Sequence, residues 1–423
     1  MENDLTSGNF VGMSTSSFHE LPNGALSSFH ISIPQEKLDW ICSRVDSFPW
    51  TQLCEPHDPT SWTHGPSSSA LRDICAHWTS SYSWRATESR INSFPHYTCR
   101  IHDLTVHFVS VRGSNPANHP LLLIHGWPYS FYSYLHLVRR LAHPEDFGGS
   151  PEDGCDVVVP SLPGFGFSEK PTRPVTPKEM ADMMNELMTN ILGYGKYVAH
   201  GGDWGSYISE LLGFQYPQHC QGIHITMSSV RHHGAAPRGG QYTVDARPAE
   251  IAFAKKEKSI WDVEKGYMLL QSTRPSKLAF AMADSPVGVL AYLLEAWHRW
   301  ADLRDRSFFE VFEPDLILNE VMVYLVTETF QSAMGLYVAD YEHGTWTLPE
   351  GKRIEAPVGV LACPDPVFPM PPREALERSR AIVLWRNSES GGHFPFYEVT
   401  EIVIEELIRF RTLLKDRGVT LIH

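Results

Sequence analysis

The chain has 423 residues, 42% of them hydrophobic and 20% charged, which supports a substantial packed core and excludes a disordered or collagen-like chain. A formal charge of −14 sets it against nucleic-acid phosphates, so no nucleic-acid partner is expected. Seven cysteines without CxxC spacing point to neither a disulfide framework nor a zinc site, and fit a reduced, cytoplasmic chain.

Residues 1–28, "MENDLTSGNFVGMSTSSFHELPNGALSS", are Ser/Asn/Gly-rich, with no apolar run and no basic start. They read as a flexible arm, with no signal peptide and no integral membrane segment. Residues 29–97 are Trp-rich and helical in pattern. "IPQEKLDWICSRV" sets Leu38, Ile41 and Val45 on one face, and "SSALRDICAHWTSSYSW" does the same with Leu71, Ile74 and Trp78. This segment is an N-terminal appendage to the strand-bearing part of the chain.

From 98 to 229 strand and helix text alternate. "LTVHFVSVRG" has period two, while "HPLLLIHGWP" and "CDVVVPSLPGFG" are short apolar runs ending in Gly or Pro, as in strands buried on both faces of a parallel sheet. Between them lie "SFYSYLHLVRRLA" and "TPKEMADMMNELMTNILG", the latter with Thr176 as cap, Pro177 at the first helical position and Glu179 closing a capping box. "KYVAHGGDWG" and "GIHITMSS" continue the alternation. Residues 230–350 break it with aromatic-rich helical text, and 351–423 restore strands before the final helix "EIVIEELIRFRTLL". The prediction is an α/β fold with a mostly parallel sheet, its core formed by 98–229 and 351–423 and a helical lid inserted at 230–350.

Gly201-Gly202-Asp203-Trp204-Gly205 lies between an apolar strand and the helix "SYISELLGF". Small residues two before and two after a nucleophile are what a sharp strand-to-helix elbow needs, which makes Asp203 a candidate nucleophile. "HGWP", His125 to Pro128, follows an earlier strand, so Trp127 and Trp204 are candidate oxyanion-hole donors. His393 in "GGHF" follows the last strand and is the candidate base. Asp365 in "ACPDPVF" is the candidate orienting acid, with Glu374 as second choice. His232 and His233 cannot face one ion as chain neighbours in regular structure and read as loop. Trp297 and Trp300 read as lid packing.

These motifs, together with "SYSWRATESRINSFPHY", "PSLPGFGFSEKP", "KGYMLLQSTRP" and "DSPVG", resemble the microsomal-type branch of the epoxide hydrolases, from about Phe29 to the C-terminus. The resemblance implies an α/β-hydrolase fold and two lid tyrosines, matched by Tyr267 in "KGYM" and Tyr337 in "MGLY". Tyr341 lies four residues beyond Tyr337 on the same helical face. It further implies opening of a small hydrophobic epoxide to a vicinal diol through an Asp203 ester, with the tyrosines as acids and His393 activating water. No metal or organic cofactor is needed, and a homodimer is compatible with it. Two positions depart from the family pattern. The acid stands one residue early, between Pro364 and Pro366, and Tyr129 replaces the glycine usual after "HGWP", which would narrow the entrance beside the oxyanion hole and makes Tyr129 a candidate substrate-binding residue. An epoxide-opening cyclase, a haloalkane dehalogenase and a non-catalytic binding protein are the competing readings of the same pattern.

Overall fold

In a computed structural model of the protein, residues 26–54, 57–242 and 245–417 are described. A nine-stranded sheet runs β1 (Leu26–Phe29), β2 (His96–Ile101), β3 (Leu104–Val111), β4 (Leu121–Ile124), β5 (Val157–Pro160), β6 (Tyr197–Gly201), β7 (Cys220–Ile225), β8 (Ile354–Ala362) and β9 (Arg380–Asn387) in sequence. Its spatial order is β1-β2-β3-β5-β4-β6-β7-β8-β9. The first three strands and the β3/β5 pairing are antiparallel, and every pairing from β5 to β9 is parallel. β4 and β5 are wholly buried, which explains why their text is continuously apolar rather than alternating.

The appendage consists of α1 (Gln35–Asp46), α2 (Ser68–Ser80) and α3 (Trp84–Ile91). Leu38, Ile41 and Val45 of α1 and Leu71, Ile74 and Trp78 of α2 are buried, as their spacing predicts. Each such burial is worth roughly 1.5–3 kcal/mol. Residues 1–25 of the expected arm lie outside the described residues. Leu26 to Ser28, assigned to that arm, instead form most of β1, paired with Cys99 to Tyr97 of β2. An edge strand of four residues is too short to register as a periodic pattern, and its backbone partners lie seventy residues away.

The core helices are α4 (Leu135–Ala142), α5 (Pro177–Glu186) and α6 (Asp203–Gln215). Thr176 and Glu179 make the reciprocal capping box at α5, with the Glu179 N–H donating to Thr176 Oγ1 at 3.2 Å and the Thr176 N–H donating to Glu179 Oε2 at 2.9 Å. Between β7 and β8 the chain is helical: α7 (Pro248–Glu264), α8 (Gly266–Thr273), α9 (Pro275–Met282), α10 (Pro286–Trp300), α11 (Phe308–Val311), α12 (Pro314–Thr327), α13 (Phe330–Ala333) and α14 (Gly335–His343). After β8 come α15 (Arg373–Leu376), α16 (Pro395–Glu398) and α17 (Thr400–Asp416). Among the described residues no helix is long and apolar enough to cross a membrane.

The strand order reverses direction between β4 and β6: β5 follows β4 to one side, and β7, β8 and β9 follow β6 to the other. Open α/β sheets form a crevice at such a point, beyond the carboxyl ends of the strands. The loops after β4, β6, β8 and β9 carry the "HGWP", "GGDWG", "CPDP" and "GGHF" segments to that edge.

Candidate active site

Asp203 sits at the first position of α6 with φ of 48°, a left-handed conformation that costs a non-glycine residue of order 1–3 kcal/mol. The flanking glycines permit it. A Cβ on Gly205 would lie 1.8 Å from the Ile124 carbonyl oxygen, and one on Gly201 would lie 2.2 Å from the carbonyl carbon of Gly205. Only hydrogen fits at either place, so the Gly-x-Asp-x-Gly spacing is a steric requirement of packing the elbow onto β4. Gly126 serves the carboxylate directly, since a Cβ there would fall 2.3 Å from Asp203 Oδ1.

The two oxygens of Asp203 have different surroundings. The backbone N–H of Trp127 donates to Oδ1 at 2.9 Å. Oδ2 faces Nε2 of His393 at 3.5 Å. On its other side the imidazole contacts Asp365, Nδ1 to Oδ2, at 2.7 Å. Asp365 is itself held, its Oδ1 accepting from the N–H groups of Val367 at 2.9 Å and Phe368 at 2.8 Å. Asp365 thus reaches the imidazole from its position between two prolines, while Glu374 is exposed on α15. A groove of about 830 Å3 borders Asp365 together with Trp385, Arg304 and Lys256, but neither Asp203 nor His393 lines it.

Burial disfavours charge on the His393 imidazole, yet the carboxylates of Asp365 and Asp203 outweigh it and raise its pKa to about 9. Burial pushes the phenols of Tyr267 and Tyr337 well above the usual tyrosine range; the charge of Asp203 adds to this, and in Tyr337 the neighbouring Tyr267 adds as well. Both therefore stay protonated donors at neutral pH. Their rings meet edge-on at 6.1 Å. Tyr267 stacks on Trp127 at 5.5 Å, and Tyr337 meets Trp204 edge-on at 4.9 Å. The hydroxyl of Tyr337 is buried without a hydrogen-bond partner, whereas Tyr341 is 59% exposed. The N–H of Trp204 lies in the first turn of α6, where backbone donors have no partner within the helix.

Residues 26–134 match the family described as Epoxide hydrolase N terminus, and residues 119–312 match the alpha/beta hydrolase fold family. The chain is 32% identical over 383 residues to a Stigmatella aurantiaca protein classed among the epoxide hydrolases, covering 90% of this chain and 84% of the relative. The chain belongs to the epoxide hydrolase family. Epoxide hydrolase 1 of Sus scrofa is 28% identical over 409 residues, covering 92% and 89% of the two chains. The solved epoxide hydrolase of Aspergillus niger superposes with a TM-score of 0.77 at 28% identity, covering 92% of this chain and 96% of that one.

Tyr129, Glu398 and Glu320 of this epoxide hydrolase's site differ from the reading of its sequence or escaped it. Tyr129 does not stand at an entrance: it is fully buried, with its ring against Phe394 and Phe396. Gly202 leaves the space its hydroxyl occupies, so the extra side chain turns beneath the elbow. Trp300 packs within α10 as expected, and its ring also borders the site, 4.9 Å from His393, 5.0 Å from Tyr267 and 5.7 Å from Trp127. Trp297 also packs as expected, stacked on Phe394 at 4.7 Å.

Glu398 went unread. Its carboxylate accepts from the N–H groups of Gly392, Phe394 and Asp302, each at 2.8 Å, and so pins the loop that carries His393. Burial raises its pKa to about 7. The available signal was its place five residues after the histidine, at the end of a short helix. Glu320 of α12 was also missed. It accepts from Ser130 Oγ at 2.7 Å and Tyr397 Oη at 3.1 Å, and burial pushes its pKa to about 8. One turn on, Tyr324 donates to the Tyr129 carbonyl at 2.9 Å, so α12 braces the loop that presents the Trp127 N–H. Among the described residues, no group of His, Cys, Asp and Glu is arranged to hold a metal ion.

Proposed function

We propose that the enzyme hydrolyses a small hydrophobic epoxide in two steps through an ester on Asp203. The observation that carries this reading is the division of labour within one carboxylate: Oδ1 is held by the Trp127 N–H while Oδ2 is left facing His393. In the first step Oδ2 attacks a ring carbon, the carbon–oxygen bond of the epoxide breaks, and Tyr267 or Tyr337 gives its proton to the departing oxygen. A buried phenol suits the task, because it is protonated before the step and donates only as charge develops.

Esterification removes the negative charge of Asp203 and with it one of the two carboxylates that raise the His393 pKa. The imidazolium then releases its proton to solvent more readily, and regains one when the Asp203 carboxylate is restored. The neutral ring can take a proton from the attacking water, with Asp365 fixing its orientation and tautomer. Water attacks the ester carbonyl carbon, and the resulting oxyanion on Oδ1 meets the Trp127 N–H, with the N–H of Trp204 as second donor. Collapse breaks the ester bond, His393 protonates the departing oxygen, and the remaining water proton restores the phenol. The aromatic surroundings of Asp203, from Trp127 and Trp300 to Tyr337, favour an apolar epoxide.

A single turnover with enzyme in excess over racemic styrene oxide, run in 18O-labelled water, tests the route. The ester path leaves the diol unlabelled and places one 18O in the Asp203 carboxylate, read by peptide mass spectrometry. Label in the diol with none in Asp203 would mean direct attack by water and would refute the ester.

A further inference from the structure

One helical turn beyond Tyr267, on the same face of α8, lies Gln271. It is fully buried, and neither its amide oxygen nor its amide nitrogen has a hydrogen-bond partner. Its side chain faces the hydroxyl of Tyr292 on α10, close enough to offset part of the burial that raises that phenol's pKa, and the hydroxyl is likewise buried with no hydrogen bond of good geometry. The two are adjacent without forming a bond of good geometry. The Tyr292 ring meets Trp127 edge-on at 5.9 Å, and the indole Nε1 of Trp127 is a third buried donor with no partner. A buried polar group left without a partner is costly, because it has given up its bonds to water. Three beside the candidate catalytic residues amount to a deficit that a bound polar atom would repair.

We propose that Gln271, Tyr292 and the Trp127 indole form a polar subsite that binds an uncharged oxygen, a hydroxyl, ether or carbonyl, on the arm of the epoxide substrate. This rests on the epoxide-opening reading of Asp203 and extends it to substrate class. The chemistry of the groups selects the ligand. An amide offers both donor and acceptor, a phenol does likewise, and an indole only donates. None carries charge, and Glu295, three residues beyond Tyr292, contributes negative potential there, so a carboxylate is disfavoured. Tyr267 and Gln271 are about 6 Å apart along α8, so the oxygen sits roughly four to five bonds from the ring carbon.

The test compares 6-hydroxy-1,2-epoxyhexane with 1,2-epoxyheptane, in which a methyl replaces the hydroxyl. The readout is the ratio of their kcat/KM values for wild type, Gln271→Leu and Tyr292→Phe, with folding checked by thermal melting. The ratio should favour the hydroxyl compound in wild type and fall at least tenfold in Gln271→Leu. It should fall several-fold in Tyr292→Phe, which removes a single oxygen and keeps the ring. The same ratio in all three proteins would overturn the subsite and leave the groups holding ordinary buried water. Absence of diol from both compounds with wild type would instead overturn the parent epoxide reading, and the subsite with it.

Discussion

If the proposed ester route holds, Asp365→Asn isolates the second half of the reaction. The substitution keeps Oδ1, so the bonds from the Val367 and Phe368 N–H groups survive. It replaces the oxygen that lies 2.7 Å from His393 Nδ1 with an NH2 group that can only donate. Nδ1 must then become an acceptor, which moves the ring proton to Nε2, the nitrogen that should take a proton from water. The electrostatic loss can be sized separately. With charge centres about 4 Å apart and an effective dielectric of about 20, the carboxylate stabilises the imidazolium by about 4 kcal/mol. That is about three orders of magnitude in rate if the imidazolium is fully formed in the transition state. The first step needs neither the tautomer nor the imidazolium. The expected result is therefore a burst of epoxide consumption equal to the enzyme present, a turnover rate lowered about 1000-fold, and an intact-protein mass increased by the mass of the epoxide. Rapid-quench kinetics with mass spectrometry reads all three. A turnover loss below about tenfold, or a large loss with no adduct, would refute the role assigned to Asp365.

In the proposed mechanism the two phenols act in the first step, so Tyr267→Phe and Tyr337→Phe should each slow adduct formation about 100-fold in single-turnover kinetics, as removal of one transition-state donor does, and the double variant should be slower than either. An unchanged rate in both single variants would remove the tyrosines from the mechanism. The Glu320 carboxyl is pushed up to about 8 by burial, above its unfolded value of about 4.3. The folded state therefore binds more protons than the unfolded state between those values, and stability falls as pH rises through that window. Glu320→Gln cannot ionise, so its melting temperature should gain on wild type from pH 5 to pH 9. A constant difference across that range would show that the carboxyl titrates normally.

Wherever a residue's role is set by its immediate neighbours along the chain, it was legible in advance. The elbow is partly such a case: Gly201 is demanded by the backbone of Gly205 and Ser206 a few residues on, whereas Gly205 is demanded by Ile124 of β4, far back in the chain. The capping box at α5 is another, since both partners lie within one helical turn. The buried runs of β4 and β5 announce a parallel sheet because a strand covered on both faces has no polar side to alternate. Asp365 was harder: local spacing put it one residue away from the family's usual place, and only the loop geometry brings its carboxylate to His393.

What remained hidden depends on pairs distant in sequence. Glu210 of α6 and Arg380 of β9 form a fully buried ion pair at 2.5 Å, yet each reads as an ordinary charged residue. Glu398 gains its role from the backbone of residue 302 as well as from its own loop. Glu320 gains its role from Ser130 and Tyr397, and Gln271 stands out only because burial leaves its amide without partners. Sequence by itself determined the fold class, the candidate nucleophile and its histidine, and the family, because backbone sterics and hydrophobic period are local properties. Tertiary structure alone decided which tyrosine is buried beside Asp203, which acid reaches the histidine, and which polar groups lack partners. Burial, and the cost of burying a charge or an unpaired dipole, exist only once distant segments have closed over them.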